Sequence, residues 1–66
     1  MVNGKKIQTL MEQKGISGNA LAVKVGVTPA MISYMINGFK EPSVAVLVRI
    51  AKELGCTVDE LIKEVD

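Results

Sequence analysis

A chain of 66 residues is long enough for one domain and little more, because chains of about this size bury only about 60% of the surface that they expose when unfolded. Hydrophobic residues make up 48% of the sequence, with one Phe, one Tyr and no Trp, so the core is expected to be aliphatic. The net charge of +1, from 8 Lys and Arg against 7 Asp and Glu, gives no argument from composition for a polyanionic partner. We therefore expect residues 1–66 to form a single domain whose partner depends on where its charges lie.

The residue types present exclude several kinds of site. The chain has no His and a single Cys, Cys56, so we expect no internal disulfide, no metal site, no cofactor and no enzymatic activity. Cys56 is expected to serve as a small buried hydrophobe. No stretch resembles a signal peptide, and none reaches the roughly 18 uncharged apolar residues of a membrane-spanning helix. We therefore expect a cytoplasmic protein without a membrane partner.

The first two predicted helices lie between residues 3 and 26. Helix 1 should cover roughly residues 5–14, because apolar and long side chains recur there at the spacing of one helix face. Asn3 lies near its start, and Gly15 provides a left-handed stop. Helix 2 should begin after Ser17, whose hydroxyl can accept from free backbone amides of the first turn, and should end at Gly26.

Helix 3 has both of its ends encoded locally. Thr28 is a good N-cap, and Pro29 sits at the first helical position, where its missing amide proton costs nothing. Gly38 ends the segment after Asn37. The sequence therefore predicts a short helix between Thr28 and Gly38.

Two further helices are predicted in the C-terminal third. Ser43 should cap helix 4, which carries apolar residues at helical spacing and stops before Gly55. Thr57 and Glu60 form the Thr-x-x-Glu pattern of a capping box, which predicts a last short helix. The expected fold is therefore all-α, with five helices.

The short link between helices 2 and 3 predicts a helix-turn-helix from about Ser17 to Asn37. Only Gly26 and Val27 separate the two helices, which forces a steep crossing in the range of about 90 to 120°. Ala22 gives room for the close approach, and Gly26 tolerates the positive φ of the turn. The inward side of this unit is expected to carry Leu21, Val25, Val27, Ile32 and Met35.

These features resemble the repressor/Cro-like helix-turn-helix regulators of phages and bacteria. The resemblance covers nearly the whole chain and is carried by Leu21-Ala22-x-x-x-Gly26-Val27-Thr28, Ile32-Ser33, Asn37-Gly38, Pro42-Ser43, Ile50-Ala51-x-x-Leu54-Gly55 and Val58-Asp59-Glu60-Leu61-Ile62. It implies a five-helix fold like that of the lambda repressor and a sequence-specific transcriptional regulator of duplex DNA. It also implies a bacterial or phage origin and a recognition helix, helix 3, that enters the major groove.

Two departures from the family pattern alter this expectation. At position 18 the family usually has a Gln that contacts a phosphate, whereas this chain has Gly18. Many members also join helix 1 to the end of helix 3 by a buried Arg–Glu pair, and the matching positions here are Met11 and Ile36. Because replacing a buried ion pair by packed hydrophobes is often neutral or stabilising, we predict that Met11 and Ile36 touch.

Helical geometry turns a small, weakly polar surface of helix 3 outward. Tyr34, Ser33 and Ala30 are candidates for contacts with base edges and thymine methyl groups, and the lack of Arg, Asn or Gln at the helix start favours an A·T-rich site. Lys40 is the best candidate for a phosphate ion pair. Lys24, Lys5 and Lys6 either lie near phosphates or are simply solvated. The predicted DNA-binding residues are Gly18, Asn19, Thr28, Pro29, Ala30, Ser33, Tyr34, Asn37 and Lys40.

Several alternatives remain open from the sequence. Tyr34 could instead be a half-buried core residue, and Ser33 could simply fit a crowded surface. The apolar run in helix 4 is either a scatter of surface valines or, as we favour, a homodimer patch that includes Val44, Val48, Val58 and Leu61. The alternative function is a helix-turn-helix used as a protein-interaction module or antitoxin-type partner, with a regulatory protein as ligand and weak DNA binding.

Overall fold

The computed structural model describes residues 2–62, which form four α-helices and one 3-10 turn. In chain order these are α1 (Gly4–Lys14), α2 (Gly18–Val25), α3 (Pro29–Ile36), α4 (Val44–Leu54) and the 3-10 turn Asp59–Leu61. Residues 2–62 contain no β-sheet. Among them, Val2 and Ile62 form an isolated antiparallel β-bridge. The all-α prediction is confirmed.

The four α-helices begin at the capping residues that the sequence predicts. Each cap has extended backbone and accepts a hydrogen bond from the amide three residues later, at 3.1 to 3.2 Å. Such a cap satisfies one amide that has no partner within the helix, and its loss costs typically about 1 kcal/mol. The caps are Asn3, Ser17, Thr28 and Ser43.

The fifth predicted helix is a single 3-10 turn within the described residues. Its capping box forms, since the Thr57 amide donates to Glu60 Oε2 at 3.1 Å and the Glu60 amide donates to Thr57 Oγ1 at 3.3 Å. The Leu61 carbonyl accepts from the Asn3 amide at 2.7 Å, and Ile62 is extended. The chain therefore leaves helical geometry because residues 61 and 62 pair with the N-terminal segment.

The core is aliphatic and combines residues from every helix. Ile7 from α1, Leu21 from α2, Ile32 from α3 and Ile50 from α4 are almost completely buried. No polar or charged residue among residues 2–62 is buried, so the core needs no internal polar network. The remaining buried members are Val2, Met11, Ala22, Val25, Met35, Ala51, Leu54 and Leu61.

The C-terminal prediction for the dimer patch is wrong in one residue. Leu61 was expected at a surface shared with α4, but its side chain is 0% exposed and packs in the core. The cause is the pairing of this segment with Asn3, which turns Leu61 inward. Val58 is half-buried against the core, whereas Val44 and Val48 are 77% and 46% exposed.

No single helix in residues 2–62 is long and apolar enough to cross a membrane. Only α2 and α3 taken together pass on length and composition, and that pair is bent by 110°. The same part of the chain has no group of three or more His, Cys, Asp or Glu residues placed to hold a metal ion.

Candidate nucleic-acid interface

The axes of α2 and α3 turn by 110° across the short link at Gly26 and Val27. Gly26 has φ +77°, and the amides of Gly26 and Val27 both donate to the Ala22 carbonyl, at 2.9 and 3.0 Å. Ala22 itself is fully buried. The predicted steep crossing is therefore confirmed, and it depends on the residues from which it was inferred.

The crossing gives α3 one buried and one exposed face. Ile32 and Met35 point into the core. Tyr34 is 44% exposed and is not among the side chains that pack against the core, so part of its ring is accessible at the surface. The other exposed positions are all predicted DNA contacts, namely Thr28, Pro29, Ala30, Ser33 and Asn37.

Ser33 and Asn37 are linked on that face. Asn37 Nδ2 donates to the Ser33 carbonyl at 2.9 Å and lies 3.5 Å from Ser33 Oγ, where the hydroxyl oxygen accepts. The Ser33 hydroxyl proton therefore remains available to donate to a base acceptor. The i, i+4 spacing of Ser33 and Asn37 is a signal in the sequence that indicates such a pair.

The N-termini of α2 and α3 offer first-turn backbone amides and a hydroxyl. The Ser17 hydroxyl takes the Ala20 amide, so the amides of Gly18 and Asn19 are first-turn donors that the cap does not use. The Thr28 hydroxyl oxygen accepts from the Met31 amide, which leaves its proton free to donate. Helix N-termini of this kind attract phosphate groups.

A recess of about 580 Å³ lies between α1, α2 and α3. It brings together five predicted DNA-binding residues from different helices, together with Met11, Ile36 and Gln8. A Cβ built on Gly18 would lie 3.8 Å from Ile32 Cγ2, which is ordinary van der Waals contact, so the recess has room for a larger side chain at position 18. The five residues are Gly18, Asn19, Pro29, Ser33 and Asn37.

The loop after α3 folds back onto that helix. The amides of Phe39 and Lys40 donate to the Tyr34 carbonyl at 2.8 and 3.3 Å, and Lys40 Nζ lies 5.6 Å from the centroid of the Tyr34 ring. Phe39 is 77% exposed and shares a second recess, of about 500 Å³, with Lys5 and Lys40. Phe39 was not among the predicted site residues, although a lone Phe in a loop of a chain with an aliphatic core is a usable signal.

The C-terminal end of α3 and the loop after it contact the N-terminal residues of the chain. The Val2 amide donates to Glu41 Oε1 at 2.7 Å. Gly4 lies so close to α3 that a Cβ there would clash with the carbonyl oxygen of Ile36 and would lie 2.6 Å from that of Met35. The N-terminus of α1 thus meets the C-terminus of α3, an arrangement that the helix dipoles favour.

Comparison with known proteins identifies a family and several solved structures that this chain resembles. The model of the helix-turn-helix family HTH_3 matches residues 7–61. A crystal structure of the P22 c2 repressor with synthetic operator 9T is 30% identical over 96% of this chain and 96% of that chain, with TM-score 0.89. No curated protein matches by sequence.

Two structures of the regulator SinR are also similar. The first, described as the master regulator for biofilm formation in complex with DNA, is 28% identical over 89% of this chain and 98% of that chain, with TM-score 0.82. The second, a SinR–SinI complex, is 29% identical over 97% of this chain and 62% of that chain, with TM-score 0.85.

Proposed function

This chain belongs to the HTH_3 family of repressor-like helix-turn-helix proteins, and from that premise we propose that it is a sequence-specific transcriptional regulator that inserts α3 into the major groove of duplex DNA. The supporting observation is the exposed face of α3, which is held at 110° to α2 and carries Ala30, Ser33 and Tyr34. The relatives named above include a repressor bound to its operator and a regulator bound to DNA. We propose that it acts in the cytoplasm of a bacterium or of a phage-infected bacterial cell, where the duplex DNA that it would bind is located.

Base readout in this proposal depends on small side chains and one ring. Ala30 contacts a thymine methyl group, and the Ser33 hydroxyl, already accepting from Asn37, donates to a base acceptor. Tyr34 adds apolar contact and a hydroxyl. Because the start of α3 offers no bidentate reader of guanine or adenine, the preferred site is rich in A·T pairs.

Phosphate contacts position α3 in the groove. In this proposal the amides of Gly18 and Asn19, the Thr28 hydroxyl and the Lys40 ammonium bind phosphates on either side of the groove. If basic side chains neutralise about three to five phosphates per subunit, log K falls against log salt with a slope of about −2.7 to −4.5 per subunit.

The test of this proposal is a fluorescence anisotropy titration of a labelled duplex of about 20 bp, enriched from a random pool by the protein. Lys40→Gln should flatten the salt slope by about 0.9. Lys24→Gln is the matched control, since Lys24 Nζ lies 3.8 Å from Glu53 Oε2 on α4. If the salt slope is the same for the wild type and Lys40→Gln, or if it changes more in Lys24→Gln, Lys40 does not contact a phosphate.

The finer part of the proposal is a homodimer on a near-palindromic site. Val44 and Val48 are one helical turn apart on α4, and both are exposed, with the half-buried Val58 on the following segment. When a second copy covers such a face, the free energy of the dimer is lowered in proportion to the apolar area removed from water. Two recognition helices about 34 Å apart would then read half-sites one helical turn apart.

Sedimentation tests the dimer. Val48→Glu should yield monomers with an unchanged circular dichroism spectrum, because the substitution adds a charge to an exposed helix position. Val23→Glu is the control, since Val23 is 81% exposed on α2, outside the proposed patch. A wild-type protein that sediments as a monomer at high micromolar concentration contradicts the dimer.

The second candidate function is a protein-interaction module, favoured by the exposed valines and the near-neutral charge. SinR, a structural relative, occurs in a complex with SinI. Under this alternative, duplex DNA binds weakly and without sequence preference. The titration above separates the two functions, because only the first predicts a large preference for the enriched duplex.

A further inference from the structure

Lys40 and Tyr34 are joined by both backbone and side chain. The Lys40 amide donates to the Tyr34 carbonyl at 3.3 Å, and the same carbonyl accepts from Phe39 at 2.8 Å. The turn that allows this passes through Gly38, whose φ is +79°. The loop is therefore closed directly onto the residue that carries the largest side chain on the reading face.

The side chain of Lys40 then lies over the ring of Tyr34. Its Nζ is 5.6 Å from the ring centroid, within the distance of about 6 Å at which a cation is attracted by the electron-rich face of an aromatic ring. A lysine has several freely rotating bonds and loses rotamer entropy when it is fixed. A ring that already restricts the ammonium lowers the entropy that a phosphate contact costs.

We propose that Tyr34 is a positioning residue for Lys40, so that the groove contact of Tyr34 and the phosphate contact of Lys40 form one coupled unit. The inference rests on the proposed function, because it concerns how the same interface is organised. The aromatic ring of Tyr34, separately from its hydroxyl, sets the strength of the phosphate contact that Lys40 makes.

Two substitutions of Tyr34 separate the effect of the ring from that of the hydroxyl. Tyr34→Phe keeps the ring and removes the hydroxyl, so Lys40 remains positioned. Tyr34→Leu removes the ring and leaves an apolar side chain. At an exposed site the attraction corresponds to a factor of about 2 to 5 in affinity, which is the size of the coupling expected.

A double-mutant cycle measures this coupling on the enriched duplex described above. The weakening caused by Lys40→Gln is measured in the wild type, in Tyr34→Phe and in Tyr34→Leu, each at about 50 and 200 mM salt. We expect the same weakening and the same loss of salt slope in the first two backgrounds. In Tyr34→Leu the weakening should be smaller by a factor of about 2 to 5. Equal weakening in all three backgrounds overturns the proposal.

The free protein offers a second test that needs no DNA. The Lys40 Hε protons should be shifted upfield by the ring current in the NMR spectrum of the wild type and of Tyr34→Phe. Unshifted Hε protons in the wild type overturn the proposal even if Tyr34→Leu fails to fold. Failure of the proposed function gives a different result from failure of this inference. In that case the wild type shows no preference for the enriched duplex and no salt dependence of binding.

Discussion

Replacing Gly18 with Gln is expected to strengthen DNA binding, because it supplies the side chain that the family usually carries at this position. Gly18 is the first residue of α2, directly after the cap Ser17, and its φ lies outside the left-handed region. A Cβ there would meet only Ile32 Cγ2 at 3.8 Å, and the recess of about 580 Å³ beyond it has room for the amide. The substitution is therefore compatible with the fold.

The size of the effect follows from two contributions. A hydrogen bond to a charged phosphate contributes about 1.5 to 3 kcal/mol, which corresponds to a roughly 10- to 150-fold gain in affinity. Exchanging Gly for Gln in a helix also stabilises the fold by about 0.5 to 1 kcal/mol. Because the Gln side chain is neutral, the salt slope should not change, since that slope counts neutralised phosphates.

The assay compares Gly18→Gln with Gly18→Ala in anisotropy titrations on the enriched duplex. Gly18→Ala gains the helix stability but has no amide, so the ratio of the two dissociation constants isolates the side-chain contact. Thermal unfolding of both variants checks that each is at least as stable as the wild type. If Gly18→Gln binds no more tightly than Gly18→Ala, the recess does not face the phosphates and the placement of α2 on DNA is wrong.

Three further predictions concern stability. Gly4→Ala should lower the free energy of unfolding by about 1 to 3 kcal/mol in urea titrations, because the added methyl group collides with the carbonyls of Met35 and Ile36; an unchanged midpoint would show that α1 moves without cost. Met11→Arg and Ile36→Glu should each destabilise the fold, while the double variant recovers part of the loss, which tests by a double-mutant cycle whether the two residues touch. Burial, followed by nearby negative charge, raises the pKa of the Cys56 thiol from its ordinary 9.0. The folded chain therefore keeps this proton at a higher pH than the unfolded chain, and stability should fall as the pH rises above about 9, but not in Cys56→Ala.

The helices were predictable from the sequence because their ends are local signals. Asn3, Ser17, Thr28 and Ser43 can act as caps without any help from distant residues, and each does so. The last element was predicted less well, since its capping box forms but the segment stops at Leu61. The reason is a distant partner, the amide of Asn3, which no local pattern reveals.

The outward face of α3 was also predictable, because helical spacing alone separates it from the buried face. Of the contacts that organise this face, the link between Asn37 and Ser33 has an i, i+4 spacing that is visible in the sequence. The position of Lys40 over Tyr34 has no such local signal, because it depends on how the chain turns after the helix ends. The lone Phe39 is conspicuous in the sequence, but its exposure follows from that turn.

The most direct measurement of the central claim is the affinity for the enriched duplex relative to a scrambled duplex of equal composition, at two salt concentrations. A regulator that reads bases through α3 should prefer the enriched duplex by at least about 10³-fold. Tyr34→Ala should reduce that preference, and binding to both duplexes should weaken as salt rises. Equal affinity for the two duplexes, or binding that does not respond to salt, would contradict the account.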